Sequence, residues 1–123
     1  MKIQLTVAPG EALFTGYGAG YVKVNQDRYE HSVILASGQT VAEWNATSFE
    51  GLTCAHFEAL LALGPEIVLV GAGRTLRFPP RALTRSLTDA GVGLEVMDTG
   101  AACRTYNILI AEGRKVVAAV LMP

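Results

Sequence analysis

The sequence predicts an α/β protein: a single three-layer domain with a mixed central sheet, antiparallel hairpins in its N-terminal half and a βαβαβ C-terminal half over residues 66–121. Short β-rich runs joined by short polar turns fill the first half, a pattern typical of antiparallel hairpins. In the second half, apolar strand-like runs alternate with segments of helical periodicity, and parallel neighbouring strands need crossovers of that length. The 123 residues are expected to form one domain over 1–123.

Four strands are predicted in the N-terminal half, over residues 3–7, 21–24, 29–35 and 40–44. Polar turns over 25–27 and 37–39 separate the last three runs, as expected for hairpins. The segment before Tyr21 contains four glycines, at positions 10, 16, 18 and 20. It is therefore predicted to be a loop or a bent edge strand.

A helix is predicted to follow Thr53, whose hydroxyl suits an N-cap. Its apolar face is predicted to be Cys54, Phe57, Leu60 and Leu61. Gly64-Pro65 ends this helix, because glycine adopts the left-handed conformation and proline cannot continue a helix.

Strands and helices then alternate along the chain. The continuous apolar run at 66–70 is typical of a strand buried on both faces. Pro79-Pro80 opens a helix that Gly91 ends. The inward face of that helix is predicted to be Leu83, Leu87 and Ala90. The remaining predicted elements are a strand over 93–97, a helix over about 100–111 closed by Gly113, and a strand over 115–121.

Composition excludes several classes of protein. Half the residues are apolar and 17% are charged, which excludes a disordered chain. The net charge of −1 provides no basic field, so no nucleic-acid partner is expected. The apolar runs fall far short of the roughly 20 residues that span a bilayer, so an integral membrane protein is not expected. Two cysteines without CxxC spacing, together with no signal-peptide core, favour a cytoplasmic location.

Ligands of open α/β sheets bind outside the carboxyl ends of the strands, and two such ends carry candidate binding residues. The predicted ligand-binding residues are Gly71, Gly73, Arg74, Asp98, Thr99 and Arg104. A helix start beside arginines attracts a carboxylate or phosphate, so a small anion is one candidate ligand. The alternative is structural: the glycines permit a bent exit from the strand, and Asp98 caps the helix or pairs with Arg74 or Arg104.

The sequence gives less support to a dinucleotide site, a nucleophilic cysteine or a metal site. A dinucleotide site is disfavoured because Leu76 replaces the third glycine of GxGxxG. Cys103 lies near a helix start, which lowers a thiol pKa, yet it shares an apolar face with Tyr106 and Ile110. The two histidines lack metal-ligand spacing. No catalytic residue, metal site or cofactor is predicted. Most of the aromatic residues Trp44, Phe49, Phe57 and Phe78 are expected in the core, and a partly exposed subset around Trp44 and Phe78 would make a protein-contact patch.

Several segments together resemble a known family. They are Met97-Asp98-Thr99, the run 101–107, Glu112-Gly113-Arg114, Gly71-Ala72-Gly73 with Pro79-Pro80, and Tyr29 with Ser32 and Trp44. They are similar to a family of small domains of largely undefined function that includes the mitochondrial respiratory complex I assembly factor 3 and bacterial and archaeal members. The family usually has Gly-Thr-Gly at 71–73, so one hydroxyl is absent here. The resemblance implies a three-layer α/β fold but no catalytic mechanism.

Two functions follow as hypotheses. The first is a non-enzymatic protein-binding factor in the biogenesis of a membrane complex, because the mitochondrial member acts by binding other proteins. Without an Arg-rich, Ser-rich presequence, a bacterial cytoplasmic member with an unidentified protein partner is expected. The second is a small-molecule or anion-binding protein, with or without enzymatic activity, at the strand ends.

Overall fold

The structure, a computed structural model, describes residues 6–7, 12–37 and 40–123. Its elements in chain order are β1 (Thr6–Val7), β2 (Phe14–Gly18), β3 (Tyr21–Val24), β4 (Asp27–Tyr29), β5 (Val33–Ala36), β6 (Thr40–Glu43), α1 (Cys54–Leu61), β7 (Ile67–Gly71), α2 (Arg81–Asp89), β8 (Gly93–Met97), α3 (Thr99–Ala111) and β9 (Val116–Val120). Within the described ranges, six strands form a mixed sheet in the order β1-β6-β5-β9-β7-β8, and β2-β3-β4 form a second, antiparallel sheet.

The two halves of the central sheet differ in strand direction. β7 pairs in parallel with both β8 and β9, whereas β5 pairs antiparallel with β9 and with β6. Because β8 and β9 lie on opposite sides of β7, right-handed crossovers require α2 and α3 to cover opposite faces of the sheet. The carboxyl ends of β7, β8 and β9, the start of β5 and the end of β6 therefore meet at one edge.

The central sheet separates two cores. In β5, Val33 and Leu35 enter the core under α3 and the small sheet, whereas Ile34 and Ala36 enter the core under α1 and α2. This alternation is the period-two pattern of a strand buried on both faces. The helices α1 and α2 contribute Phe57, Leu60 and Leu87 to one core, and α3 contributes Ala102, Cys103, Tyr106 and Ile110 to the other.

The small sheet is attached to α3 by both apolar and polar contacts. The rings of Phe14 and Tyr106 meet edge to face at 5.6 Å. The Asn107 side chain accepts a hydrogen bond from the Phe14 amide at 3.0 Å and donates one to the Phe14 carbonyl at 2.7 Å. Asn107 thus pairs with β2 as a neighbouring strand would.

The predicted fold class is confirmed, as is the βαβαβ order of the C-terminal half. Of the two predictions for the segment before Tyr21, the bent edge strand is present, since β2 has a bulge between Phe14 and Gly16. The run 29–35 is not one strand, because the chain leaves the small sheet after β4 and enters the central sheet at β5. Cys54 and Ala90 are exposed: Cys54 begins α1, where only Phe57 and Leu60 are fully covered, and α2 ends before Ala90. The predicted positions 3–5, Gly10 and 38–39 lie outside the described residues.

Candidate functional site

Thr99 joins the ends of three neighbouring strands. Its buried hydroxyl accepts a hydrogen bond from the Gly73 amide at 2.9 Å and donates one to the Leu121 carbonyl at 2.6 Å. The Thr99 amide donates in turn to the Gly73 carbonyl at 2.9 Å. Both the donor and an acceptor position of this hydroxyl are occupied within the protein, so it acts as a structural clamp between the segments after β7, β8 and β9.

The glycines after β7 are required by this close packing. A Cβ atom on Gly71 would lie 2.8 Å from Cγ1 of Val120 and 2.9 Å from Oγ1 of Thr99, closer than side chains tolerate. Gly73 has a φ of +103°, a conformation that favours glycine. The Gly71 carbonyl accepts from the Leu121 amide at 2.9 Å. Hydrogen bonds therefore join the segment after β7 to the segments after both β8 and β9.

Asp98 is the N-cap of α3. Its Oδ1 atom accepts a hydrogen bond from the Ala101 amide at 2.9 Å, which satisfies one of the free amides at the helix start. Among the ion pairs that the described residues form, none joins Asp98 to Arg74 or Arg104. Of the two structural roles anticipated for Asp98, the structure contains the cap.

Arg104 faces the small sheet. Its guanidinium donates a hydrogen bond to the Tyr17 hydroxyl and lies 5.8 Å from the centre of that ring. Gly100 makes room for the same ring, since a Cβ there would lie 2.8 Å from it. The structure thus brings Gly71, Gly73, Asp98 and Thr99 together, and it directs Arg104 elsewhere.

Cys103 is buried on α3, 1% exposed. Burial raises the pKa of its thiol to about 12, against a smaller lowering effect of the Arg104 charge. The thiol is therefore protonated at neutral pH and inaccessible, which favours the packing role of Cys103 over a nucleophilic one.

A cleft of about 620 Å³ opens on the other side of Gly73 and Arg74. Its lining comes from residues 30–32, 43–50, 72–74 with Arg77, and 121–123. Ligands commonly occupy crevices at the carboxyl edge of such sheets. Two of the six predicted site residues, Gly73 and Arg74, therefore line a concave surface.

His56 supports the wall of this cleft through its contact with Asn45, a lining residue. Its Nδ1 accepts a hydrogen bond from the Thr53 amide at 2.9 Å, and its Nε2 contacts the Asn45 carbonyl. The tautomer that fits this network carries its proton on Nε2 and donates it to Asn45. Trp44 in turn donates to the His56 carbonyl at 3.3 Å. A histidine three residues after an N-cap threonine is the sequence signal for this capping box, in a position that usually holds Glu or Gln.

The charges of the cleft are mixed. Arg77 pairs with Glu50 at 3.2 Å and stacks over the Phe49 ring, with 4.4 Å between the guanidinium carbon and the ring centre. The exposed Arg74 side chain has no ion pair or hydrogen bond with the described residues. Glu30 and Glu43 add negative charge on the opposite side.

The loop over residues 72–80 carries an apolar surface. Leu76 is 52% exposed and Phe78 is 69% exposed. Trp44 is 2% exposed and Phe57 is fully buried, as expected for core aromatics, and their rings meet edge to face. Of Trp44 and Phe78, around which a partly exposed patch was anticipated, only Phe78 faces outward. Beyond Phe78, a second groove of about 890 Å³ runs between α2 and β8.

Two further searches cover the described ranges alone. No helix there is long and apolar enough to cross a membrane. Within the same ranges, no three His, Cys, Asp or Glu side chains stand close enough together to hold a metal ion.

These features define a class: a three-layer α/β protein with its strand ends clamped together and a polar cleft beside them. The chain belongs to the DUF498/DUF598 family of proteins of unknown function, whose model matches residues 14–121. A crystal structure of a Bordetella parapertussis protein is similar, with a TM-score of 0.88 and 42% identity over 94% of this chain and 99% of that one. A Bordetella pertussis protein described as a Mth938-like domain has a TM-score of 0.79 and 35% identity, covering 98% and 92%.

The curated relatives include respiratory complex I assembly factors and a bacterial membrane protein. NADH dehydrogenase [ubiquinone] 1 alpha subcomplex assembly factor 3 of Bos taurus is 42% identical over 88 residues, which are 69% of this chain and 47% of that protein. The chain thus spans about half the length of the assembly factors it matches. A 13 kDa major membrane protein of Francisella tularensis is 29% identical over 117 residues, covering 94% of this chain and 95% of that protein. The resemblance to the assembly-factor family is confirmed.

Proposed function

We propose that this protein is a non-enzymatic protein-binding factor that aids the biogenesis of a membrane complex, acting from the cytoplasm of a bacterium. The observation that carries the proposal is its 42% identity to a respiratory complex I assembly factor over 69% of its length. The chemistry of the strand ends is consistent with this role, because the Thr99 hydroxyl and the Asp98 carboxylate serve the fold.

The loop 72–80 is the surface best suited to a client. Aromatic and arginine side chains dominate the energetic centres of protein interfaces, and this loop presents exposed Leu76 and Phe78 beside Arg74 and Arg77. An aromatic ring that is 69% exposed gains apolar contact on binding, worth about 25 cal/mol for each Å² covered.

The proposal is tested by affinity purification from the native cell with quantitative mass spectrometry. We expect a reproducible set of membrane-complex subunits that falls at least tenfold with the double variant Leu76→Ser/Phe78→Ser. Ile108→Ser is the matched control, because Ile108 is 59% exposed on α3, away from the loop. Recovery of no subunit set would overturn the proposal, as would intact membrane complexes in a deletion strain. Equal recovery with the loop variant would exclude the loop as the client surface.

A second candidate, small-molecule or anion binding with or without catalysis, is favoured by the cleft beside Gly73 and Arg74. A thermal-shift screen of metabolites tests it, because a ligand of the folded state raises the unfolding midpoint by mass action. Loss of that gain with Arg74→Ala places the ligand in the cleft, and loss with Arg104→Ala places it at the start of α3. A screen without any gain rejects this candidate.

A further inference from the structure

The strand β8 is an edge of the central sheet in the described part of the chain, pairing with β7 alone. A backbone hydrogen bond at each end of β8 joins it to the β7 segment. The Gly93 amide donates to the Glu66 carbonyl at 3.0 Å, and the Ala72 amide donates to the Met97 carbonyl at 2.8 Å. In a parallel ladder, alternate residues bond to the same neighbour. The amides and carbonyls of Leu94 and Val96 consequently point away from β7, available to another strand.

A groove follows this free edge. It has a volume of about 890 Å³ and lies between β8 and α2. The half-buried side chains of Leu94 and Val96, which pack on the core under α2, form its floor. Phe78, 69% exposed, lies at its rim. An extended segment paired with β8 would cover these apolar atoms.

The charge of the groove indicates which kind of segment binds there. Arg81 and Arg85 line it from α2, both exposed, and neither forms an ion pair within the described residues. Glu95 also lines the groove, but the alternation of β8 directs its side chain to the other face of the sheet from Leu94 and Val96. On the face of α2 the groove is therefore positively charged.

We propose that β8 accepts an acidic, extended segment of a client protein as an additional strand, an inference that rests on the proposed protein-binding function. Its backbone pairs with Leu94 and Val96, as in other cases of strand addition. Residues four apart on a helix are roughly 6 Å apart, and alternate strand residues are roughly 6.6 Å apart. Two carboxylates at alternate positions of the segment therefore match Arg81 and Arg85.

A second copy of this chain is a poorer occupant. A symmetric pair of β8 strands would bring the same surface of both copies together. The uncompensated Arg81 and Arg85 of the two copies would then face one another, and like charges destabilise such contacts.

The test is selection of a displayed peptide library, with random segments of about seven residues, the length of an ordinary strand. We expect enriched peptides to carry Asp or Glu at alternate positions. They should bind the whole protein at least tenfold more tightly than Val96→Pro, which removes the outward amide; proline is tolerated at such edge positions. Bound peptide should also slow hydrogen exchange at Leu94 and Val96.

Charge reversal gives a second route that does not depend on the folding of the proline variant. Arg81→Glu/Arg85→Glu should weaken the enriched peptides at least tenfold. Lys23→Glu/Arg28→Glu is the matched control, because those side chains are exposed and face each other across β3 and β4. Their variant should bind like the unmodified protein.

Several outcomes would overturn the inference: no enrichment, enrichment without acidic residues, binding that both groove variants retain, or a dimer that Val96→Pro dissociates. If client recovery falls with the Leu76/Phe78 variant but is unchanged by both groove variants, strand addition is rejected and the proposed function stands. If acidic peptides bind the groove but no membrane-complex subunit is recovered, the proposed function fails and the groove stands.

Discussion

Two segments at the same edge of the sheet differ in how they use their polar groups. Residues 97–104 place an aspartate, a threonine and a cysteine at a helix start, and all three are committed to caps, backbone bonds or the core. The loop 72–80 has a less distinctive sequence, yet from Arg74 to Phe78 its side chains are exposed. The segment richest in reactive residue types maintains the fold, and the plainer loop has the accessible surface.

The difference follows from topology. α3 begins directly at the end of β8, so its first turn must fit against the segments after β7 and β9. The nine residues 72–80 separate β7 from Arg81, the first residue of α2, so that connection extends beyond the sheet edge. Four predictions test the contrast.

The largest expected difference is in thiol reactivity. At pH 8 a pKa of about 12 leaves on the order of one Cys103 thiolate in ten thousand, and burial blocks that fraction. Cys54, which is exposed, should react with iodoacetamide more than a thousandfold faster, because Cys103 must await unfolding. Mass spectrometry of peptides from briefly labelled protein measures both rates. Equal labelling of Cys54 and Cys103 in the folded protein would contradict the burial of reactive side chains in 97–104.

Removing the Thr99 hydroxyl should have the largest effect on stability. Thr99→Val leaves the buried Gly73 amide and Leu121 carbonyl without this partner, and we expect a loss of about 2–4 kcal/mol in the free energy of unfolding. Thr75→Val, an exposed change in the open loop, should stay within about 0.5 kcal/mol. Urea unfolding compares them. Similar losses would show that the two segments are equally packed.

The helix cap should contribute less. Asp98→Ala removes the acceptor for the Ala101 amide, and such changes cost about 1 kcal/mol. Asp98→Asn keeps an acceptor oxygen and should recover most of that loss in the same urea titration. If alanine and asparagine gave equal losses, the carboxylate charge rather than the cap would be its contribution.

The smallest expected stability effect is at Phe78. Because the ring is 69% exposed, Phe78→Ser should change the free energy of unfolding by no more than about 0.5 kcal/mol. The same variant is expected to reduce client recovery. A thermal melt beside the affinity experiment separates the two effects. A loss above about 2 kcal/mol would mean that the ring packs within the fold.

Much of the fold was predictable because its elements follow from local sequence patterns. The apolar run at 67–70 marks a strand, and the left-handed glycines Gly64, Gly91 and Gly113 mark helix ends. The change of sheet between Tyr29 and Val33 was not predictable, since both sides have the same strand-like composition. β4 pairs with its neighbour in sequence, β3, whereas β5 pairs with the distant strand β9, a partner that local composition does not reveal.

The position of the candidate site residues was predictable, but the contacts that their side chains make were not. Residues at 71–74 and 98–104 do lie at the carboxyl ends of β7 and β8, as the alternation of strands and helices required. Whether the Thr99 hydroxyl meets solvent or the Leu121 carbonyl depends on a contact 22 residues away. The role of His56 was missed because its partner Asn45 lies before α1, in a segment without periodicity.

The position of β9 has a consequence for synthesis on the ribosome. It lies between β5 and β7, yet it is the last described strand in chain order. Until residues 116–120 leave the exit tunnel, the earlier strands form two half-sheets, each with an unpaired apolar edge. A nascent chain stalled before that point exposes both edges and is a substrate for chaperones and proteases. Arrival of β9 joins the halves, so closure of the central sheet must await the emergence of this strand.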